Sequence, residues 1–407
     1  MSRFVPALAA SLATAAALTA QVPYGSAIVG VIGNVAPGEG LYLADRLGNC
    51  TPVTGLVAAG SANANGNTTV LDPIDDRVWI GSSSNGQVNW VRIVGTTVTQ
   101  FVQHGSMPGT STAAFAFDDN SNVIACGGTA AAGGLYLIDR KNGGAGTLVG
   151  AVPGTGIHNA MTKDLVGNLY VGMFNQGGEV HVFAKNPDGT YQAPVLLGTV
   201  PTTSISGLTF APADGTNPDE LWVTTFGSAG SQMFRITLPL GGVGTAVANS
   251  LAGCNWIDYD RSQNDLLVAT QAGTDRVVQV DRTTGLDTLL SSIQGGNAGV
   301  PAYLDVNDAP FGVTNVAPMI LNGAVGPFDL EIGTSAPPGT LAVVGVGAPF
   351  VSILGVAIVG ADGHLSISIP NITLAGPIAP GTLTFLAAYF DLGGNLQIGS
   401  PLPWPAL

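Results

Sequence analysis

The chain has 407 residues and joins a 46% hydrophobic fraction to Gly 58, Pro 26 and only 9% charged residues. That hydrophobicity excludes a disordered chain, the scarcity of charge excludes a coiled coil, and so many turn-formers exclude a helical bundle. Lys+Arg 12 against Asp+Glu 26 leaves a net charge of −14 with no basic cluster, which excludes nucleic acid and an anionic membrane surface as partners.

Met1 to Ala20 reads MSRFVPALAASLATAAALTA. One positive charge, Arg3, precedes an apolar run that ends in small residues before Gln21. This layout predicts a secretory signal peptide cleaved after Ala20, and hence an exported protein, secreted or held at the cell surface. The run lacks a basic stop-transfer flank, and no later stretch has the continuity of a membrane span.

From residue 21 a pattern recurs: a strand ending near Asp-Arg, a Gly-containing turn, then another strand. It is clearest in GLYLADRLGNCTPVTGL from Gly40, GLYLIDRKNGGAGTLVG from Gly134 and VVQVDRTTGLDTLL from Val277. Weaker copies start at Asn89, Val180 and Met233. Aligning Asp45, Val94, Asp139, Ala184, Thr237 and Asp281 gives steps of about 44 to 53 residues, the period of a four-stranded propeller blade. Before each copy stands a β run, an Asp- and Asn-rich turn and a second β run, as in WIDYDRSQNDLLVAT. The strands of one blade are called a to d from the axis outward.

The first copy lacks strand a. Ala27 to Ile32 reads as its strand b, and the missing strand is supplied after the last copy by Pro301 to Val306, which aligns with Trp256 to Tyr259. Such a strand closes a ring and removes its edges. The expected architecture is all-β, a six-bladed propeller over residues 21–315, with five or seven blades if a weak copy is misassigned. LYLADRLGN at Leu41 to Asn49 resembles the strand and turn of NHL repeats, and DLVGNLYVG at Asp164 to Gly172 resembles the a–b hairpin of lyase-type propellers. The chain is thus similar to the NHL and SMP-30-like propellers. That resemblance implies a fold more than an activity.

Asn307 to Pro318 is rich in Pro and small residues, as at a domain boundary. The β runs that follow, among them LSISI at Leu365 to Ile369, predict a small β-sandwich over residues 316–407. GPFDLEIGTSAPPGTLAVVGVG resembles a C-terminal β module of exported planctomycete proteins, which implies a surface, sorting or adhesion role.

Propeller ligands sit around the central channel, lined by the d–a connections and b–c loops. These segments are almost wholly neutral. The candidate ligand-binding residues are His158, Asn159, Ser206 and Asn255 at the starts of inner strands. The SMP-30-like resemblance implies a divalent cation held by carboxylates, but the channel segments carry no Asp or Glu, so no metal site is expected. The turns at Asp118-Asp119-Asn120, Asp214 to Asn217 and Asp258-Tyr259-Asp260 read as turn chemistry. Of the four histidines, His181 is placed in a strand c, His364 in a C-terminal hairpin and His104 in a d–a loop. His158 alone precedes a channel strand, which makes it a weak catalytic candidate without an orienting acid or a basic helper.

No nucleotide, haem or zinc motif appears, so no cofactor is expected. The glycine runs Gly127-Gly128 and Gly143-Gly144 read as β-turns. Cys126 reads as a buried hydrophobe, and the odd count of three cysteines leaves a Cys50–Cys254 disulfide undetermined. The reading is an exported binding or scaffolding protein for a neutral ligand, a polymer or an envelope protein. The alternative is an extracellular lyase or hydrolase acting through His158. A chain truncated at Val316 should fold and melt cooperatively, as judged by circular dichroism; an insoluble or molten product would make the tail part of the propeller.

Overall fold

A strand buried on both faces reads as an unbroken apolar run, whereas one with an open face alternates. Val123–Gly127 (VIACG) and Asp265–Thr270 (DLLVAT) are buried from end to end, while Thr147–Ala151 (TLVGA) is open along most of its length. This gradient from buried to open runs from the axis to the rim of each blade. The computed structural model describes Val22 and residues 26–31, 40–45, 47–56, 68–72, 77–82, 85–108, 111–118, 122–127, 133–151, 157–164, 166–174, 176–202, 204–214, 216–225, 233–247, 251, 253–260, 264–270, 276–293 and 302–306, then strands only to residue 403. At 157–159 and 302–303 it describes backbone alone. The segment Met1 to Ala20, most b–c loop residues and most of the 307–318 junction lie outside the described residues.

Six antiparallel sheets form the blades. From the axis outward, blade 1 orders Ala302–Val306, Ala27–Val31, Leu41–Ala44 and Cys50–Val53. Blade 2 orders Thr69–Leu71, Arg77–Gly81, Gln87–Val94 and Thr97–Ser106, and blade 3 Thr112–Phe117, Val123–Gly127, Gly134–Ile138 and Thr147–Ala151. Blade 4 orders Ile157–Lys163, Leu169–Phe174, Glu179–Phe183 and Val195–Thr199. Blade 5 runs Ile205–Ala211, Glu220–Thr225, Met233–Thr237 and Thr245–Ala246, and blade 6 Cys254–Asp260, Asp265–Thr270, Arg276–Asp281 and Asp287–Ser292. The closing strand pairs as the repeat alignment requires, with Ala27 opposite Val306 and Val31 opposite Ala302. Inner strands of successive blades pack side by side around the whole ring.

The Asp-Arg signature has two separate jobs. Its Asp closes the c–d turn: Asp139 Oδ1 accepts from the Lys141 and Asn142 amides, and Asp281 Oδ1 from those of Thr283 and Thr284. Its Arg reaches back into the preceding blade. Arg140 Nε and Nη2 donate to the two Asp72 oxygens at 3.1 Å, and Trp79 Nε1 donates to the same carboxylate. Arg282 Nε donates to Glu220 Oε2 at 3.3 Å, and its other nitrogens bond the carbonyls of Ala211, Pro212 and Pro218. Trp222 Nε1 donates to Glu220 as well. Both junctions therefore bury an Arg, a carboxylate and a Trp together, with every charge paired.

The turns after the glycine runs do more than reverse the chain. Gly144–Ala145 pairs in parallel with Gly105 and Ser106 of blade 2, and Gly242–Val243 pairs likewise with Gly198 and Thr199 of blade 4. A Cβ on Gly198 would lie 2.2 Å from the Gly242 carbonyl oxygen, so only glycine admits this contact. In both places the sequence reads Gly-Gly-x-Gly-Thr, at Gly143 and at Gly241. The Gly143-Gly144 run is thus a turn plus a short rim strand that stitches two blades together.

Beyond the ring, further antiparallel strands are present. Phe328–Thr334 pairs with Phe311–Thr314 and His364–Ile369, and Leu341–Val346 with Ser352–Ile358 and Thr384–Phe390. His364 therefore opens a strand; the turn residues 361–363 and 391–395 lie outside the described residues.

Arg282 is fully buried, and its removal takes the nearest cation from Glu220 and a donor from three carbonyls. Arg282→Ala should lower the free energy of unfolding in urea by about 3–5 kcal/mol. Arg282→Lys should fail to restore it, because an ammonium cannot match the planar fork.

Candidate functional site

Four of the inner strands carry the same irregularity at the channel mouth. The register against strand b slips by one residue between Thr112 and Ala114, His158 and Ala160, Ile205 and Gly207, and Cys254 and Trp256. The extra residues are Ala113, Asn159, Ser206 and Asn255. A bulge bends its strand and re-aims one residue. Three of the four candidate ligand residues thus occupy one equivalent position in blades 4, 5 and 6, and His158 directly precedes it in blade 4.

Long hydrogen bonds link this position across blades 5 and 6. Ser206 is 1% exposed, and its single hydroxyl proton is shared between Thr224 Oγ1 and the Cys254 carbonyl, each at 3.4 Å. Thr224 Oγ1 donates onward to the Asn255 carbonyl at 3.3 Å, and Asn255 is itself buried. The approach needs Gly207, whose Cβ would stand 2.8 Å from the Ile257 amide nitrogen. Ser206 and Asn255 are therefore brought together through Thr224. Only the backbone places His158, opposite Met173, and Asn159 next to it.

Lower in the channel lies a group absent from the expected inventory. Asp258 stands within the inner strand Cys254–Asp260 and not in the a–b turn, which corrects the turn expected at Asp258-Tyr259-Asp260. Its Oδ2 accepts from the Val306 amide at 2.9 Å, and its Oδ1 from Thr209 Oγ1 and the Tyr259 amide. Its carboxyl is also hydrogen-bonded to that of Asp305, whose Oδ2 accepts from the Leu71 amide at 2.7 Å. Part of the Asp258 residue surface is open, yet the carboxyl is desolvated, and that burial pushes its pKa up. The channel wall therefore does carry acids. The repeat alignment held the signal, since matching YLDV of the closing strand to WIDY sets Asp305 against Asp258.

The other Asp-rich turns behave as read. Asp118 Oδ1 accepts from the Asn122 amide and Asp214 Oδ1 from those of Thr216 and Asn217. The same Asp-to-Asn(i+4) clasp recurs at Asp45 and Asp164. His104 lies in strand d of blade 2, not in a d–a loop: the strand extends through Ser106 because the blade 3 rim strand pairs with its end. Trp90 Nε1 donates to its Nδ1 and its Nε2 bonds the Asp139 carbonyl. His181, in strand c of blade 4, bonds Glu179. Neither belongs to the inner ring. All three cysteines are free, so Cys50 and Cys254 form no disulfide. Burial drives the Cys50, Cys126 and Cys254 thiols up to about 12, the opposite of an activated nucleophile.

Among the described residues no group of three or more His, Cys, Asp or Glu is arranged to hold a metal ion. Asp258 and Asp305 do not fit the cation of SMP-30-like propellers either. Their oxygens already accept from the Val306, Tyr259 and Leu71 amides and the Thr209 hydroxyl, whereas a hard cation needs several open oxygen ligands.

Neither a protein-family model nor a curated protein matches the chain. Solved structures do. A 6-phosphogluconolactonase candidate from Bacteroides fragilis is 14% identical with a TM-score of 0.45, covering 69% of this chain and 96% of that one. A chain of the nidogen/laminin complex is 12% identical with a TM-score of 0.49, covering 70% and 99%. PorZ, a surface component of the type-IX secretion system of Porphyromonas gingivalis, is 11% identical with a TM-score of 0.40, covering 95% and 58%. The assignment as a six-bladed propeller rests on the strand order and the closing strand.

EDTA should leave the melting temperature within about 1 °C if, as the neutral channel segments lead one to expect, no ion adds its binding free energy to the native state. A large drop reversed by calcium would place a metal in this protein.

Proposed function

We propose that this is an exported, NHL/SMP-30-like binding or scaffolding propeller that presents its channel mouth to a neutral ligand, a polymer or an envelope protein. Behind it residues 316–407 form a β-sandwich that attaches the protein at the cell surface. The observation that carries the reading is the bulged position shared by four inner strands, supported between blades 5 and 6 by the buried Ser206–Thr224–Asn255 hydrogen bonds and occupied by Asn159 in blade 4. A rigid, neutral polar rim suits recognition, since little ordering is lost on binding. Neutral donors and acceptors select hydroxyl- and amide-bearing partners and give charged ones nothing to pair with.

The described chemistry favours binding over turnover. Catalysis by acid and base needs a base with an orienting partner and a nearby electrophilic helper. His104 and His181 lie outside the inner ring, and the thiols are shifted away from reactivity. His158 supports a second reading, a lyase or hydrolase, on one observation: it adjoins the blade 4 bulge, and bulges re-aim side chains next to active sites.

Full-length protein on a sensor surface should bind within a panel of neutral glycans while hydrolysing no ester, lactone or glycoside probe. Asn159→Ala should weaken that binding about tenfold, or about 1.4 kcal/mol, at an unchanged melting temperature. Turnover of a probe that disappears in His158→Ala would replace the binding reading by the enzymatic one.

A further inference from the structure

The outer strand of blade 2 and the c–d turn of blade 3 meet at a histidine. Along Thr97–Ser106 the register against strand c steps from Asn89 opposite Gln103 to Val88 opposite Gly105, so His104 has no residue opposite it. Such a bulge re-aims its residue. His104 bonds across the junction, with Nε2 at 2.9 Å from the Asp139 carbonyl oxygen. Trp90 Nε1 donates to its Nδ1 at 3.3 Å, and the Trp79 ring stands edge-on at a centroid distance of 5.1 Å. An indole N–H can only donate, so Nδ1 carries a lone pair and Nε2 carries the proton that goes to Asp139. We propose that His104 is a proton-sensitive clasp between blades 2 and 3, closed while its imidazole is neutral and opened when Nδ1 takes a proton from solvent.

The clasp sits on the stitch that joins the two blades. Gly144–Ala145 pairs with Gly105 and Ser106, the residues that follow His104, and the Gly146 amide donates to the Ser106 carbonyl at 2.8 Å. A Cβ on Gly143 would lie 2.0 Å from the His104 carbonyl oxygen and 3.3 Å from its ring, so the turn rests directly on this residue. Blades 4 and 5 repeat the arrangement with Leu197 in the place of His104. There a Cβ on Gly241 would lie 2.3 Å from the Leu197 carbonyl oxygen, and the Gly244 amide donates to the Thr199 carbonyl at 2.8 Å. The stitch itself therefore needs no histidine, and His104 adds a bond that depends on its protonation.

The charged and titratable groups around His104 come from both blades. On blade 2 they are Arg77 and Arg92, opposite each other on strands b and c. The Arg77 guanidinium lies 5.1 Å over the Trp90 ring, and its Nη1 donates to the Arg140 carbonyl at 3.3 Å. Thr97–Ser106 carries no other titratable residue, and Gly144–Ala145 carries none. On blade 3 they are Tyr136, Asp139, Arg140 and Lys141, with Arg140 paired to Asp72. Hydrogen bonding, first from the Asn142 amide, holds the Asp139 carboxyl below the usual carboxylate range. Asp139 thus stays ionised while a histidine titrates, and it gives an imidazolium a counter-charge across the junction. A doubly protonated imidazole donates from both nitrogens, so it sets N–H against N–H at Trp90 while its Nε2 bond to Asp139 persists. The Trp90 bond is made at alkaline pH and lost as pH falls through the range in which imidazoles titrate.

The test is hydrogen–deuterium exchange on the full-length protein, with protection of the Gly146 amide divided by that of Leu41–Ala44. The latter strand lies between Ala27–Val31 and Cys50–Val53, and none of the three carries a carboxylate or a histidine. The ratio therefore cancels the intrinsic pH dependence of exchange. In the parent protein it should fall about tenfold from about pH 8 to about pH 5. It should stay within about twofold in His104→Gln, which takes up no proton, and in Trp90→Phe, which has no N–H to lose an acceptor. A charge effect of His104 that does not act through Trp90 would leave Trp90→Phe following the parent, and that result overturns the clasp. A flat ratio in the parent overturns it as well. Should either variant not fold, nitrogen NMR of the parent labelled at histidine decides the question. A proton on Nε2 of His104 at about pH 8 supports the clasp, and a proton on Nδ1 there overturns it.

Discussion

An inner propeller strand has a partner on one side only, and its other edge faces the axis with amide groups that must bond to something. In this protein the side chains of the preceding blade meet that demand. Thr162 accepts from the Phe210 amide, Asp258 from Val306 and Asp305 from Leu71, while Thr209 bonds Asp258. These bonds link blades 4, 5, 6, 1 and 2 in succession; at three junctions an amide donates to the preceding blade, and between blades 5 and 6 the Thr209 hydroxyl donates forward to Asp258. They explain Asp305 within AYLDV and Asp258 within CNWIDYD, since replacing either by a hydrophobe would orphan an amide one blade away.

The rim faces the same difficulty with fewer buried atoms. Short parallel strands at Gly144–Ala145 and Gly242–Val243 cap the outer edges of the blades before them. Between rim and axis, Arg140 and Arg282 each cross a junction to a buried carboxylate and a tryptophan. The junctions use different chemistry at different radii, and all of it points from one blade to its neighbour. The ring therefore behaves as a set of nearest-neighbour contacts closed on itself, and closure through Ala302–Val306 completes the last of them.

That arrangement also separates support from recognition. Ser206 and Asn255 stand at the channel mouth, yet they are buried and bonded across a junction, so they hold the rim in place. Asn159 occupies the equivalent place in blade 4, beside His158.

The repeat period, the missing first strand and its replacement at Pro301 to Val306 were legible in the amino-acid order, because strands buried on both faces leave continuous apolar runs and turns leave Gly, Asp and Asn. The turn role of Asp118 and Asp214 was legible for the same local reason. The pairing of Asp258 with Asp305, the reach of Arg282 to Glu220 and the linkage of Ser206 to Asn255 through Thr224 were not. Each joins residues of different blades, and their proximity follows from how the sheets pack around an axis. Local sequence sets which residues form a strand and a turn; the ring decides which strand edges face each other, and with them which polar atoms must find a partner.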